Sequence, residues 1–122
     1  MNLSRLTQEL RGFGGIQRKG AVGKCLRAME GAWDFGHVIV GPGDDAAVLR
    51  AEDGGYLLLA ADGILPALVE QDPVRAGRAA VLVNVNDIYA MGGQPLALVN
   101  VLAGVDEQQI EAISQGIREE CE

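Results

Sequence analysis

From Pro73 to Met91 the chain carries nineteen residues with no internal proline and no cluster of turn residues, and both ends of the run are marked. Asp72 has the side chain to cap a helix start. Pro73 suits the first helical position, where the missing N–H is one that a helix leaves unbonded anyway. Gly92-Gly93 supplies the stop. A helix of this length, about 28 Å at a rise of ~1.5 Å per residue, is the longest rod the sequence predicts, and the rest of the fold has to be arranged around it. Ala80, Asn84, Asp87 and Met91 fall on one stripe of the helix, and Val81, Val85 and Ile88 on another. A stripe that sets Asn84 and Asp87 beside apolar neighbours is not a plain solvent face.

Short strands precede this helix. His37 to Val40 is a β-branched run, broken by Gly41-Pro42-Gly43-Asp44-Asp45, after which Ala46 to Leu49 resumes an extended pattern. Glu52-Asp53-Gly54-Gly55 has strong hairpin-turn chemistry, and Tyr56 to Ala61 follows as the strand expected to pair antiparallel with the one before it. After the long helix, Leu96 to Ala103 is apolar at nearly every position, the pattern of a strand covered on both sides. A last helix begins at Asp106, with Gln109 completing a capping box and Ile110, Ile113 and Ile117 as its buried stripe. The fold class expected is therefore α/β (α+β), with a mixed or antiparallel sheet and helices on one face.

The N-terminal stretch reads differently. Leu3 to Leu10 is a weakly amphipathic helix, Gly12 to Gly20 a glycine-rich basic loop, and Ala21 to Met29 a second short helix. The domain division expected is a helical, glycine-rich segment over 1–36 and an α/β domain over 37–122. Because Cys121-Glu122 falls inside the last helix, downstream sequence, including a C-terminal domain, is expected to be missing.

Composition narrows the function classes. The net charge of −7 argues against nucleic acid as the main partner, since phosphate backbones ask for a basic stripe. It leaves room for a phosphorylated small molecule, because a bound cation reverses the local sign. His37 is the only histidine, which excludes a histidine-rich zinc site. Cys25 and Cys121 lie far apart with no C-x-x-C partner, the usage of reduced thiols in a cytoplasmic protein. No apolar run reaches the ~20 residues of a membrane span, and the first residues lack the apolar stretch of a signal peptide.

The acidic residues carry the chemistry. Asp44 and Asp45 sit at a break between extended segments, Asp62 ends the apolar run Tyr56 to Ala61, and Asp87 interrupts an otherwise apolar helix. Mg²⁺ takes oxygen ligands, usually one or two carboxylates with water and substrate phosphate. Carboxylates converging on one cleft repel each other without a cation, which gives a metal a physical reason to be there. Taken singly, each has a plainer reading: a solvated Asp-Asp turn, an Asp-Gly turn, and a satisfied carboxylate at the edge of the core.

Three stretches of sequence in order carry a resemblance. Gly43-Asp44-Asp45-Ala46-Ala47-Val48 resembles the G-D-D-A-A-V word of the thiamine-monophosphate kinase branch of the aminoimidazole ribonucleotide synthetase superfamily. Leu58-Leu59-Ala60-Ala61-Asp62-Gly63 is similar to that family's following strand. The run from Ala79 to Pro95 resembles its long helix, in which A-V-N-x-x-D-x-x-A-M-G-A-x-P recurs. The resemblance covers about Val38 to Ala103, more loosely the helix to Glu122, and includes relatives such as selenophosphate synthetase and formylglycinamidine synthetase. It implies an N-terminal ATP-binding domain whose strands pair across a homodimer into a shared β-barrel. Mg²⁺ would hold the phosphates of ATP, with Asp44, Asp62 and Asp87 as ligands and Asp45 in the same word. Asn84, Asn86 and Asp87 would lie on the nucleotide side, with Asn84 and Asn86 supporting the site by hydrogen bonding.

The sequence also departs from that pattern. Ala60 and Ala61 stand where the kinase branch has hydroxyl residues, which removes two oxygen ligands. Leu65 to Val69 offers no histidine to approach thiamine phosphate, and the further G-G-D-T word would lie beyond Glu122. The glycine-rich stretch Gly14 to Gly20 is not a Walker A loop. In some relatives such a segment folds over the nucleotide, and Lys19 or Arg18 would then neutralise phosphate charge; a flexible turn is the plainer reading. The functional expectation is an ATP- and Mg²⁺-binding domain of a phosphotransferase or synthetase acting on a small-molecule phosphate acceptor, inactive as this piece alone. The alternative is a non-catalytic dimerisation or nucleotide-sensing scaffold, which Ala60 and Ala61 favour.

Overall fold

The computed structural model describes residues 2–32, 36–103 and 106–122, with the side chains of 15–21 outside the description. The chain divides into two compact units, 1–36 and 37–122.

In the first unit, α1 spans Leu3–Gly12 and α2 spans Gly14–Ala28. The Asn2 side chain caps α1 by accepting from the N–H groups of Ser4 and Arg5, which satisfies donors a helix start leaves open. Arg5 and Glu9, one turn apart, pair at 2.9 Å. The glycine-rich stretch, expected as a loop, is helical: α2 begins at Gly14 and runs through it. Only Phe13, extended at φ −69 and ψ 127, separates the two helices. Ile16, Gln17, Arg18 and Lys19 are ordinary helix formers, and together with Ala21 they offset the weak propensity of the glycines between them.

The second unit is an α+β arrangement. A three-stranded antiparallel sheet in the order β1-β2-β3 is built from Val38–Val40, Ala47–Arg50 and Tyr56–Leu59. β2 and β3 form the expected hairpin, with Ala47 opposite Leu59 and Arg50 opposite Tyr56. The turn is closed by the Asp53 carboxylate, which accepts from the Gly55 N–H at 2.9 Å. Two helices follow, α3 over Pro66–Gln71 and α4 over Pro73–Ala90. Asp72 caps α4 by accepting from the Arg75 N–H at 3.0 Å. α5 spans Glu107–Cys121 and opens with the full capping box, Asp106 and Gln109 each bonding the other's backbone N–H.

Most of the core lies where α4 crosses α5. Ala76, Val81 and Ile113 are buried there, and Ala46, ahead of β2, is buried as well. The helices touch through glycines. A Cβ on Gly77 would stand 2.1 Å from the Ile113 carbonyl oxygen, and one on Gly116 would stand 2.0 Å from that of Val74. Only residues without a side chain allow backbones this close. Beside the crossing, Arg78 Nε donates to Glu119 Oε2 at 3.1 Å and its Nη2 makes a shorter bond to the same oxygen. The stripe expected on α5 holds at Ile113 and Ile117, but Ile110 is exposed, one turn before the crossing.

The other departure is the expected strand from Leu96 to Ala103. These residues are not in a ladder, and Leu96, Val99 and Val101 are 81, 92 and 90% exposed. A strand exists only against a neighbour, and among the described residues no strand pairs with this segment. Its apolar pattern says that it is to be covered without saying by what.

Candidate functional site

The start of β2 and the end of β3 lie at one end of the sheet, because Ala47 pairs with Leu59. Asp44 and Asp45 precede β2 and Asp62 follows β3, so both acidic segments leave the sheet at that end. Gly43 makes the approach possible: its φ of 130° lies where a side chain would be strained. The chain thereby bends between Pro42 and Asp44, which form an isolated bridge. Buried Ala46 then anchors the start of β2. The Asp44 carboxylate turns back on its own backbone and accepts from the Asp45 N–H at 3.0 Å.

α4 supplies the other wall. The Asp62 N–H donates to Asn84 Oδ1 at 3.0 Å, while Asn84 Nδ2 donates to the Ala80 carbonyl one turn back at 2.8 Å. Asp87 follows Asn84 by three residues, on the same helix face. Its carboxyl is held above the ordinary aspartate range, first by partial burial and then by the negative charges of Asp62 and Asp45. Asp62 and Asp45 therefore lie close enough to Asp87 for their charges to act on it. Asp87 and Asn84 are half-buried, while Asp44, Asp45, Asp62 and Asn86 are exposed.

Among the described residues, no three side chains of ligand type converge on one point as a preformed metal cage. The donor set is nonetheless all oxygen, and Mg²⁺ typically uses one or two carboxylates, filling its octahedron with water and phosphate. Asp62 and Asp87 suit that mode. Lys19 lies within α2, and its side chain, like that of Arg18, is outside the described residues. What sequence reasoning missed is the target of Asn84: its place beside Asp87 on the helix was legible, but its bond to a backbone N–H twenty-two residues away was not.

A small α+β domain that gathers acidic residues at its strand ends beside a long helix defines the class. Comparison with known proteins names the family. The family model described as AIR synthase related protein, N-terminal domain, matches residues 43–122, and the chain belongs to that family. It is 51% identical over 76 residues to the uncharacterized protein sll0787 of Synechocystis, covering 62% of this chain and 23% of that protein. It is 37% identical over 101 residues to phosphoribosylformylglycinamidine synthase subunit PurL of Rhodopseudomonas palustris strain HaA2, covering 73% of this chain and 14% of the relative. The PurL subunit of Bradyrhizobium strain ORS 278 is 36% identical over the same length. The chain thus spans less than a quarter of these relatives. No solved structure matches it significantly. Among the described residues, no helix is long and apolar enough to cross a membrane.

Proposed function

We propose that the region 37–122 binds Mg–ATP and works as the nucleotide-handling domain of a phosphotransferase or synthetase in the cytoplasm, acting on a small-molecule phosphate acceptor and not on nucleic acid. The observation that carries this reading is the bond from the Asp62 N–H to Asn84 on α4 at 3.0 Å, which brings the strand-end aspartate to the helix face that carries Asp87, in a chain whose family match begins at Gly43. Asp62 and Asp87 would hold the cation, with Asp45 and Asp44 at its edge, and Asn86 would face the nucleotide. A bound Mg²⁺ supplies charge neutralisation along the phosphate chain. The protein's own part is positioning: Asp62 is tied to α4 through its backbone, and Asp87 is kept in a partly dry setting where charge interactions are stronger.

Calorimetric titration of ATP with and without Mg²⁺ tests the reading. Binding that requires the cation and weakens at least tenfold in Asp62→Ala and Asp87→Ala is the expected result. Binding of equal strength without Mg²⁺, or none at all, overturns it. The absence of hydroxyls at Ala60 and Ala61 supports a second reading, a scaffold that dimerises and senses nucleotide without catalysis; full-length protein that binds Mg–ATP and never turns it over would favour it.

A homodimer belongs to both readings. β3 is an edge strand, and the exposed apolar run 96–103 is of the kind that seeks a partner sheet. Light scattering of the wild type should give twice the chain mass, and Val99→Asp should return it to the monomer. A monomeric wild type at high concentration removes the shared barrel from the proposal.

A further inference from the structure

The Asn84 side chain joins two parts of the domain that the sheet does not connect. The β2–β3 ladder stops at Leu59, so the N–H of Asp62 has no strand to bond. Asn84 Oδ1 takes that proton at 3.0 Å. At the same time Nδ2 is spent on the carbonyl of Ala80 at 2.8 Å, which ties the amide to its own helix and aims Oδ1 at the Asp62 backbone. The orientation follows from the partners: with N and O exchanged, donor would face donor at Asp62 and acceptor would face acceptor at Ala80. Few side chains can do both tasks. Aspartate lacks the donor, alanine lacks both groups, and glutamine carries them on a longer stem.

We infer that Asn84 is a positioning residue, whose amide fixes the backbone of Asp62 against α4 one turn from Asp87 and so sets the spacing at which the two carboxylates meet a cation-bound phosphate chain. Asn84 and Asp87 share a helix face, with Cβ atoms about 5–6 Å apart as for any residues at this separation. Catching the Asp62 N–H at Asn84 therefore holds the Asp62 backbone beside the rung that carries Asp87. In this arrangement the task of Asn84 is to hold the Asp62 backbone, with one lone pair of Oδ1 engaged by the Asp62 N–H. The inference rests on the Mg–ATP reading above and narrows it, moving Asn84 from the nucleotide-binding group to the support beneath it.

Two measurements on the full chain test it. The first needs no metal: hydrogen exchange of the Asp62 amide, followed by NMR. It should be at least tenfold faster in Asn84→Ala than in wild type, and only partly protected in Asn84→Asp, which keeps the acceptor oxygen but loses the donor that aims it. Equal rates in wild type and Asn84→Ala overturn the inference whatever the nucleotide does. The second is affinity for Mn²⁺ with ATP, read by paramagnetic broadening of the Asp62 and Asp87 signals. A loss of about tenfold in Asn84→Ala is expected, with circular dichroism unchanged. Should Asn84→Ala lose its helix signal, Asn84→Ser is read in its place, since a serine hydroxyl bonds the carbonyl four residues back and falls short of Asp62. Wild-type binding with unchanged affinity in the variants sinks the positioning role alone. A wild type that binds no Mn–ATP sinks the function reading first and the positioning role with it.

Discussion

The two ends of α4 are built to opposite purposes. At its N-terminal half, Gly77 meets the α5 backbone, Ala76 and Val81 are buried, and Arg78 pairs with Glu119; opposite charges meet and little is left unsatisfied. At its C-terminal half, Asp87 faces Asp62 and Asp45, and three like charges gather beside a helix. One half of the rod stabilises the fold. The other keeps a half-buried carboxylate near two more negative charges, and its pKa is raised by that setting. Regions that resist their own folding are where binding is to be sought.

That contrast can be broken at three points. The largest effect is expected at the crossing. Gly77→Ala or Gly116→Ala puts a Cβ about 2 Å from a carbonyl oxygen, and the backbones must separate. A loss of about 3 kcal/mol, at the upper end for overpacking, would consume much of the stability of a small domain. Urea denaturation checks it, and a variant as stable as wild type would mean that the helices are further apart than described.

Next is Asp87→Asn. The folded-state pKa of Asp87 is raised, so the unfolded chain ionises first as pH rises. The contribution to stability is complete below the unfolded value and is lost as pH rises through the folded one. The amide variant should therefore melt higher than wild type at pH 7 without metal, with the gain vanishing below about pH 4, the usual aspartate range. It should also lose Mg²⁺-dependent ATP binding. A variant that melts lower at pH 7 contradicts the repulsion.

The smallest effect is at the other half. The Glu119 carboxyl is held below its ordinary value, first by its hydrogen bond from Arg78 and then by that from Gln115. Its contribution is present above the unfolded pKa and is lost as pH falls through the folded one. Glu119→Gln should lower the melting temperature slightly at pH 7 and not at all in strong acid, because an exposed ion pair is worth little. Opposite pH slopes for the two variants would sharpen the comparison.

Much of this was legible in residue order because it is local. Asp72-Pro73 and Asp106 with Gln109 announce helix starts through bonds made within four residues, and Glu52 to Gly55 announces a hairpin in the same way. The acidic positions were legible too, since a carboxylate ending an apolar run stands out. What escaped was settled at a distance. Nothing near Gly77 says that Gly116 will lie against its helix, and nothing near Asn84 names the N–H of Asp62. The run from Leu96 to Ala103 has a strand's pattern, yet it is unpaired here because pairing depends on a neighbour as well as on composition. The glycines from Gly14 to Gly20 suggested a loop, while the residues between them carry a helix.

The glycine pair also sets a rule for how this domain can vary. Slipping α5 by a turn in either direction would keep its face but present Ala112, Ile113, Glu119 or Glu120 to Val74 in place of Gly116, and each carries a Cβ where there is no room. The crossing therefore works as a keyway, strict about the height at which α5 docks as well as the face it turns inward.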